Sequence, residues 1–493
     1  MSKNPSFLAI DLGAESGRAV LGCLENNILS MEEIHRFANG PIAVGSSLYW
    51  NTLKLWDEIQ ASIHMATQKA GPDLVSLGVD TWGVDFALLG EGDELLGNPH
   101  HYRDSRNDGM LAEAFRRVPK EEIYRQTGIQ FMQINSLYQL LSMRIHQPSI
   151  LDTAQTFLTI PDLFNFWLTG VKASEFSIST TTQCYDPTRK AWATDLLSRL
   201  DIPAHIFQAI VPSGTRLGAL RQSAAPELVG RAIEVIATTC HDTASAVAAV
   251  PANQPGYIFL SSGTWSLMGI EIPGPIINAK GVEYNLTNEG GANGTIRLLK
   301  NISGLWLLQE CRREWARHGQ TYDYGELTRL AESAAPFHSL VRTSDSRFLA
   351  PGDMTLRIRA YCAESQQPVP ESVGEVCRCI LESLALEYRT IAVQLEEMVG
   401  HGLPVIHIIG GGSRNRLLNQ FTANATGKTV IAGPVEATSI GNILIQAISM
   451  GMLGSIQEGR ALVRRSFDLE PYSPMDALTW EKAYDRYRNL PVS

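Results

Sequence analysis

The sequence predicts an α/β chain made of two similarly built domains. A short apolar segment, a glycine-containing turn and a second apolar segment open each half. In the first half these are Phe7–Asp11, residues 12–17 and Arg18–Leu24; in the second they are Gly256–Leu260, residues 261–264 and Trp265–Glu271. In both halves such strands precede segments of helical period, the pattern of mixed sheets covered by helices. At 493 residues the chain also exceeds the roughly 250–300 residues at which a single core stops growing.

The first half continues with a strand near Ile28–Phe37 and a helix from about Asn51 to Ala70. Asn51 is a fitting N-cap, Leu55, Ile59 and Ile63 share one face, and Gly71 stands where a C-terminal glycine belongs. Strands Leu74–Asp80 and Ile233–Thr239 follow, the latter leading into a helix over Ala244–Val250. The second half has a strand over Thr295–Lys300 and a helix from about Ser303 to His318, closed by Gly319. Strand Pro404–Ile409, the turn Gly410-Gly411-Gly412 and helix Arg414–Thr426, ending at Gly427, come next. The two openings read as a weak internal duplication of about 250 residues per copy, far longer than a solenoid repeat. Pro251 and Pro255 bracket a polar stretch near Ala249–Gly256, which divides the chain into domains 1–250 and 251–493.

Composition narrows the function classes. Lys plus Arg number 41 against 51 Asp plus Glu, a net charge of −10 with no basic block, which disfavours nucleic acid and anionic membranes as partners. No apolar run reaches the roughly 18 residues that span a bilayer. Met1–Ser6 is short and polar, and Phe7–Ile10 is too brief for a signal-peptide core. The seven cysteines show neither C-x-x-C nor zinc spacing. A cytoplasmic location follows as the expectation, with Cys362 and Cys379 either paired or, as suits a reducing compartment, free.

Several segments are suited to phosphate chemistry. Asp11 ends the first strand and precedes Leu12-Gly13-Ala14-Glu15-Ser16-Gly17-Arg18. Glycines let backbone N–H groups point at an anion, Ser16 adds a hydroxyl, Arg18 adds a charge, and Asp11 is placed to hold hydrated Mg²⁺ against a triphosphate. The alternative is a plain hairpin turn. Ser261-Ser262-Gly263-Thr264 repeats the device. Cys240-His241-Asp242-Thr243 lies between a strand and a helix. There Asp242 reads first as a helix N-cap and second as a carboxylate, kept ionised by the helix terminus, that accepts a proton from an alcohol. Gly410-Gly411-Gly412-Ser413 and Gly433-Pro434-Val435-Glu436-Ala437-Thr438 each lead into a helix, which suits nucleotide binding or tight packing. The nearest approach to a P-loop, Gly427-Lys428-Thr429, has Thr422 where the first glycine is required; H-E-x-x-H and an opening G-x-G-x-x-G are absent.

Together these segments resemble the FGGY carbohydrate kinases, over nearly the whole chain from Ala9 to about Gly454. The resemblance lies in long strings: Ala9-Ile10-Asp11-Leu12-Gly13-Ala14, Gly78–Phe86, Tyr102–Arg106, His241–Ser245, Ser262–Gly269, Asn288-Glu289-Gly290-Gly291, Lys300–Gln309 and Ala432–Ala437. It implies two RNase H-like domains of the actin and hexokinase type around a catalytic cleft, with the sugar on the N-terminal side and the nucleotide on the C-terminal side. It implies ATP and Mg²⁺ as cofactors and a small ketose as partner, phosphorylated at the C1 hydroxyl, with L-rhamnulose first and L-fuculose or xylulose as alternatives. Carried over by position, Ala14, Glu15, Ser16, Gly17 and Arg18 would contact the phosphates, as would Thr264. Gly83, His241, Asp242, Thr243 and Asn301 would line the sugar site, and Gln309 and Gly411 would contact the nucleotide. The resemblance favours Asp242 as the base. Glu15 departs from a phosphate turn, where a small or hydroxyl residue is easier beside a triphosphate. A non-catalytic nucleotide-dependent binding protein of the same superfold is the rival from another class.

Overall fold

The computed structural model describes residues 4–226, 232–349 and 351–491, so Met1–Lys3 of the polar N-terminal stretch lie outside it. The chain packs as two units that do not follow chain order. Unit 1 comprises residues 1–253, 271–298 and 437–466; unit 2 comprises 254–270, 299–436 and 467–493. A cut at 250 follows the chain, whereas packing returns 437–466 to unit 1. The helix Ala437–Ser449 buries Ile440, Ile443 and Leu444, and the side chain of Ile443 fills the space over Gly22.

Unit 1 is built on a six-stranded sheet. Its strands are β1 (Ser6–Leu12), β2 (Ser16–Glu25), β3 (Ile28–Ala38), β4 (Leu74–Thr81), β5 (Thr215–Ala219) and β6 (Glu234–Ala237), in the order β5-β6-β4-β1-β2-β3. β1 and β2 form the expected antiparallel hairpin, with Asp11 opposite Arg18. β4 lies parallel to β1 on its other side, with Asp80 opposite Asp11, and β6 lies parallel to β4. Every residue of β1 is buried, as a central strand covered on both faces requires. β3 carries Glu32, Glu33, His35 and Arg36 in a largely exposed edge, where charge discourages pairing with another chain.

Helix α1 (Thr52–Ala70) buries Leu55, Ile59, Ile63 and Ala66 along one face. Asn51 caps it by accepting from the Lys54 N–H at 3.1 Å, and Gly71 ends it at φ 54°. Helix α2 (Asp242–Ala248) starts two residues earlier than its apolar pattern predicts. His241, not Asp242, occupies the N-cap position, and its side chain makes no capping hydrogen bond. The run Ala244-Ser245-Ala246 leaves α2 thin enough for the helix Ala437–Ser449 to press against it. A Cβ on Gly441 would stand 1.7 Å from the Ser245 carbonyl oxygen.

Unit 2 repeats the opening device. β7 (Ile258–Ser262) pairs antiparallel with β8 (Ser266–Ile272), placing Ser262 opposite Ser266. β9 (Val405–Ile409) is parallel to β7, and β10 (Thr429–Ala432) is parallel to β9. β11 (Glu470–Tyr472) closes this edge antiparallel to β10. Helix α3 (Trp306–Arg317) begins three residues later than predicted. The turn before it is drawn onto the β7–β8 turn, with the Leu305 N–H donating to Gly263 O at 3.1 Å and the Trp306 N–H to Thr264 O at 3.0 Å. Gly304, at φ 51°, permits the approach, since a Cβ there would lie 2.6 Å from the Ser266 nitrogen.

The longest helix, α4 (Val373–Val399), starts with a capping box between Ser372 and Glu375 and ends at Gly400. Helix α5 (Arg416–Thr426) is capped by Asn415 and closed by Gly427 at φ 67°. Among the described residues no helix is long and apolar enough to cross a membrane. All seven cysteines, Cys362 and Cys379 included, are free thiols.

Candidate active site

Asp242 is the first residue of α2, at the carboxyl end of the parallel strands β4 and β6, where open α/β sheets place ligands. Thr81 N donates to Cys240 O at 2.9 Å, stitching the segment before α2 to the end of β4. One carboxylate oxygen, Oδ1, accepts from the Thr243 N–H at 2.5 Å and the Thr243 hydroxyl at 3.0 Å. Oδ2 has no hydrogen-bond partner among the described residues, and the side chain keeps 31% of its exposure. This is a carboxylate with one oxygen tethered and the other open.

The helix terminus does not keep it fully ionised, contrary to expectation. Burial and, next, the charge of Asp11 push its carboxyl up to about 7, against the lowering effect of the two bonds from Thr243. The helix has only two turns and a modest dipole. Near neutral pH Asp242 can therefore both lose and accept a proton.

His241 and Gly83 stand beside it. His241 Nε2 lies 3.5 Å from Asp242 Oδ1, and a methyl group on Gly83 would sit 3.3 Å from the same nitrogen and 3.3 Å from Thr181 Oγ1. His241 and Thr243 are buried. Gly83 is followed by Val84 at φ 69°, an unusual conformation for a β-branched residue and one that persists only where its surroundings enforce it. Val84 N donates to Thr181 Oγ1 at 3.2 Å, and Val84 O accepts from the Ser136 hydroxyl at 2.5 Å. Next to it Asp85 accepts from the indoles of Trp50 and Trp82 and from Gln139, at 2.5, 3.0 and 2.8 Å. Burial still raises its carboxyl to about 6. Sequence reasoning singled out the string Gly78–Phe86 but gave a role to Gly83 alone.

Asp11 is buried at the end of β1, with Arg18 donating to its Oδ2 through Nε at 2.9 Å and Nη2 at 2.6 Å. Arg18, expected to face a phosphate, is thus paired across the hairpin with Asp11. Asp80, the neighbour of Asp11 in register, lay in a strand and a family string singled out in the sequence but was given no role there. Its Oδ2 accepts from Asn442 Nδ2 at 2.5 Å, while its Oδ1 is buried without a partner among the described residues. Burial, then the Asp11 charge, raise its carboxyl well above the usual range. An all-oxygen set with one buried orphan suits a hard divalent cation that keeps most of its water, rather than a protein cage. No cluster of three or more His, Cys, Asp or Glu able to hold a metal occurs among the described residues.

In the turn after β1, Gly13 N donates to Ser16 O at 3.0 Å; Glu15 is exposed, Ala14 and Ser16 are half-buried, and Gly17 packs under the Phe37 ring. In unit 2, Thr264 is half-buried in the β7–β8 turn, and Asn301 lies on the strand Ile296–Ile302. Gln309 is on α3 with its Oε1 buried and unpartnered among the described residues. Gly411 opens a short turn before α5, with nothing within 4 Å of where a Cβ would stand; the neighbouring Gly412 is pressed on Ser262.

Two supports of Asp242 lie far away in sequence. Glu175 accepts from the Cys240 N–H at 3.2 Å and from the Ser177 hydroxyl at 2.6 Å, and that hydroxyl accepts from the His241 N–H at 3.2 Å. Arg297 is fully buried and reaches His241 Nδ1. An Arg within the apolar run Ile296-Arg297-Leu298-Leu299 was the available signal, because a buried guanidinium requires partners.

Comparison with known proteins adds to this geometry. Residues 6–249 match the N-terminal domain model of the FGGY family of carbohydrate kinases and residues 258–450 its C-terminal domain model. The chain is 44% identical over 484 residues to a rhamnulokinase of Bacteroides thetaiotaomicron, covering 98% of this chain and 99% of that one. It is 42% identical over 466 residues to a rhamnulokinase of Oceanobacillus iheyensis, covering 94% and 98%. Among solved structures it resembles a xylulose kinase from Lactobacillus acidophilus (TM-score 0.81, 16% identity, 98% of this chain and 97% of that one). It also resembles a Plasmodium falciparum glycerol kinase with ADP (TM-score 0.78, 16% identity, 98% and 97%).

Proposed function

The chain belongs to the FGGY family of carbohydrate kinases, and from that premise we propose that it transfers the γ-phosphate of ATP to the C1 hydroxyl of L-rhamnulose, giving L-rhamnulose 1-phosphate and ADP in rhamnose catabolism. It is a sugar kinase with the actin and hexokinase type of fold expected from its sequence. The observation that carries the reading of the site is the open Oδ2 of Asp242, beside His241 and Gly83 at the strand ends.

In this reading the sugar hydroxyl donates to Asp242 Oδ2, and the proton passes to it as the oxygen attacks phosphorus. The Thr243 bonds hold Oδ1 so that the other oxygen is presented. Gly83 leaves room for the sugar, and Val84 and Asp85 fix the loop that carries it. Mg²⁺ would supply charge neutralisation to the phosphate oxygens. Asp11, oriented by Arg18, would hold it through water, with the orphaned Asp80 oxygen as a further acceptor. Residues 14–18, Thr264, Gln309 and Gly411 are assigned to the nucleotide and Asn301 to the sugar, on the family pattern. The reaction is placed in the cytoplasm, which holds ATP and keeps thiols such as these seven reduced.

A coupled assay of ADP release across ketoses tests the substrate. L-rhamnulose is expected to give the highest kcat/KM, and a preference for L-fuculose or xylulose defeats the assignment. The pH dependence tests the base. Because the carboxyl of Asp242 is raised to about 7 and only its ionised form accepts the proton, kcat/KM should fall about tenfold for each pH unit below that value and level off above it. A profile flat through neutrality would remove Asp242 from the role.

A further inference from the structure

We propose that Arg297, anchored by Glu289, is a positioning residue that fixes His241 as the uncharged imidazole with its proton on Nε2, making that N–H a permanent donor toward a substrate oxygen beside Asp242. The inference deepens the reading of Asp242 as base and rests on it for its functional meaning.

The geometry is that of three side chains of unit 1 packed in series. Arg297 Nη2 lies 3.0 Å from His241 Nδ1 and 3.2 Å from Glu289 Oε2, while its Nε donates to Gly290 O at 2.8 Å. Gly290 is in turn held through its N–H by Thr180 Oγ1 at 2.7 Å. A guanidinium has only donors and keeps its charge in proteins. His241 Nδ1 must therefore accept, and a proton on that nitrogen would face another donor at 3.0 Å. The competing arrangement, in which Nδ1–H donates to Glu289 Oε2, has a separation of 3.5 Å, at the outer limit of a hydrogen bond. The shorter contact decides the tautomer. The proton of the neutral ring then sits on Nε2, the nitrogen 3.5 Å from Asp242 Oδ1 and nearest to Gly83.

Charge acts in the same direction. The groups facing the ring are Arg297, Glu289 and Asp242, and Arg297 also feels Glu175 and Glu271. Burial first, and the Arg297 cation second, hold the imidazole well below its usual range. An imidazolium here would pair with Asp242 and make it a poorer base. A neutral donor orients a sugar oxygen without that loss. Of the carboxylates around it, Glu289 does most to balance the buried charge of Arg297.

The test is ¹⁵N NMR of the full-length protein with labelled histidine, the His241 signals being identified by their loss in His241→Gln. The expected result is a pyridine-like Nδ1 and a pyrrole-like Nε2 that do not change through about pH 6.5, where a free imidazole titrates. A protonated Nδ1, or a ring that titrates normally, overturns the proposal; this is read on the parent protein, with His241→Gln used only to assign the signals. In the double variant Arg297→Met/Glu289→Gln, which removes both charges together, the His241 Nδ1 and Nε2 signals should move toward a mixture of the two neutral tautomers, because the contact that fixes Nδ1 as acceptor is gone while burial still disfavours the charged ring. The KM for the ketose should rise about 5–10-fold, as for one lost hydrogen bond, with the KM for ATP unchanged. Spectra and ketose KM identical to those of the parent protein would also overturn it. If Asp242→Asn retained transfer, the base assignment would fail while the tautomer result still stood, so the two failures are separable.

Discussion

Asp242→Asn is expected to yield a folded protein that binds nucleotide but transfers phosphate about 10²–10⁴-fold more slowly, the range typical for loss of a general base. The substitution is close to isosteric. The amide oxygen can still accept from the Thr243 N–H and hydroxyl, so the start of α2 keeps its local bonds. What disappears is the open oxygen that takes a proton, since an amide does not become protonated near neutral pH. Stability should hold or rise above about pH 7. In the parent protein the ionised carboxylate is disfavoured in the fold by burial and by Asp11, and the amide carries neither penalty. The measurements are kcat in the coupled assay, nucleotide affinity by calorimetry and the thermal midpoint. Transfer within tenfold of the parent protein, with the fold intact, would show that another group takes the proton.

Gly441→Ala is expected to cause a large loss of stability in unit 1 from one added methyl group. Two effects oppose each other. Alanine favours a helix over glycine by roughly 1 kcal/mol. Against this, the new Cβ would stand 1.7 Å from the Ser245 carbonyl oxygen and 2.5 Å from its carbon, both backbone atoms of α2 that no rotamer change can move aside. Overpacking of a tight interior costs about 1–3 kcal/mol and more where backbone must shift, so sterics win. Because α2 begins at Asp242, separation of the two helices also disturbs the site, and kcat should fall together with the thermal midpoint. Gly459→Ala is the control. There the nearest atoms are the flexible ends of Leu444 at 3.2 Å, and the effect should stay within about 1 kcal/mol. Equal midpoints for the two variants would contradict the close packing of α2 on the helix Ala437–Ser449.

Much of the scaffold was legible because it depends on local chemistry. The hairpin β1–β2, helix α1 with its Asn51 cap and Gly71 stop, and the glycine turn before α5 appear within a residue or two of their sequence patterns. The errors have local causes too. The Ser303 start of α3 failed because Gly304 adopts a left-handed conformation against the β7–β8 turn. The apolar pattern of α2 concealed that its polar leader, Asp242, already has helical geometry. The long helix α4 and the Trp50–Trp82–Asp85–Gln139 network were not read, the latter because its members are scattered over ninety positions of chain.

By itself the sequence determined the alternation of strands and helices, the duplicated opening hairpin and the placement of Asp11 and Asp242 at strand ends, since turn chemistry and hydrophobic period act between near neighbours. Only the tertiary structure decided which groups answer those carboxylates. It paired Arg18 with Asp11, left one oxygen of Asp80 without a partner among the described residues, raised Asp242 to about 7 and set Arg297 against His241. The reason is physical: desolvation and Coulomb interaction depend on separation in space, and folding brings residue 297 to within 3.0 Å of residue 241 regardless of the chain between them.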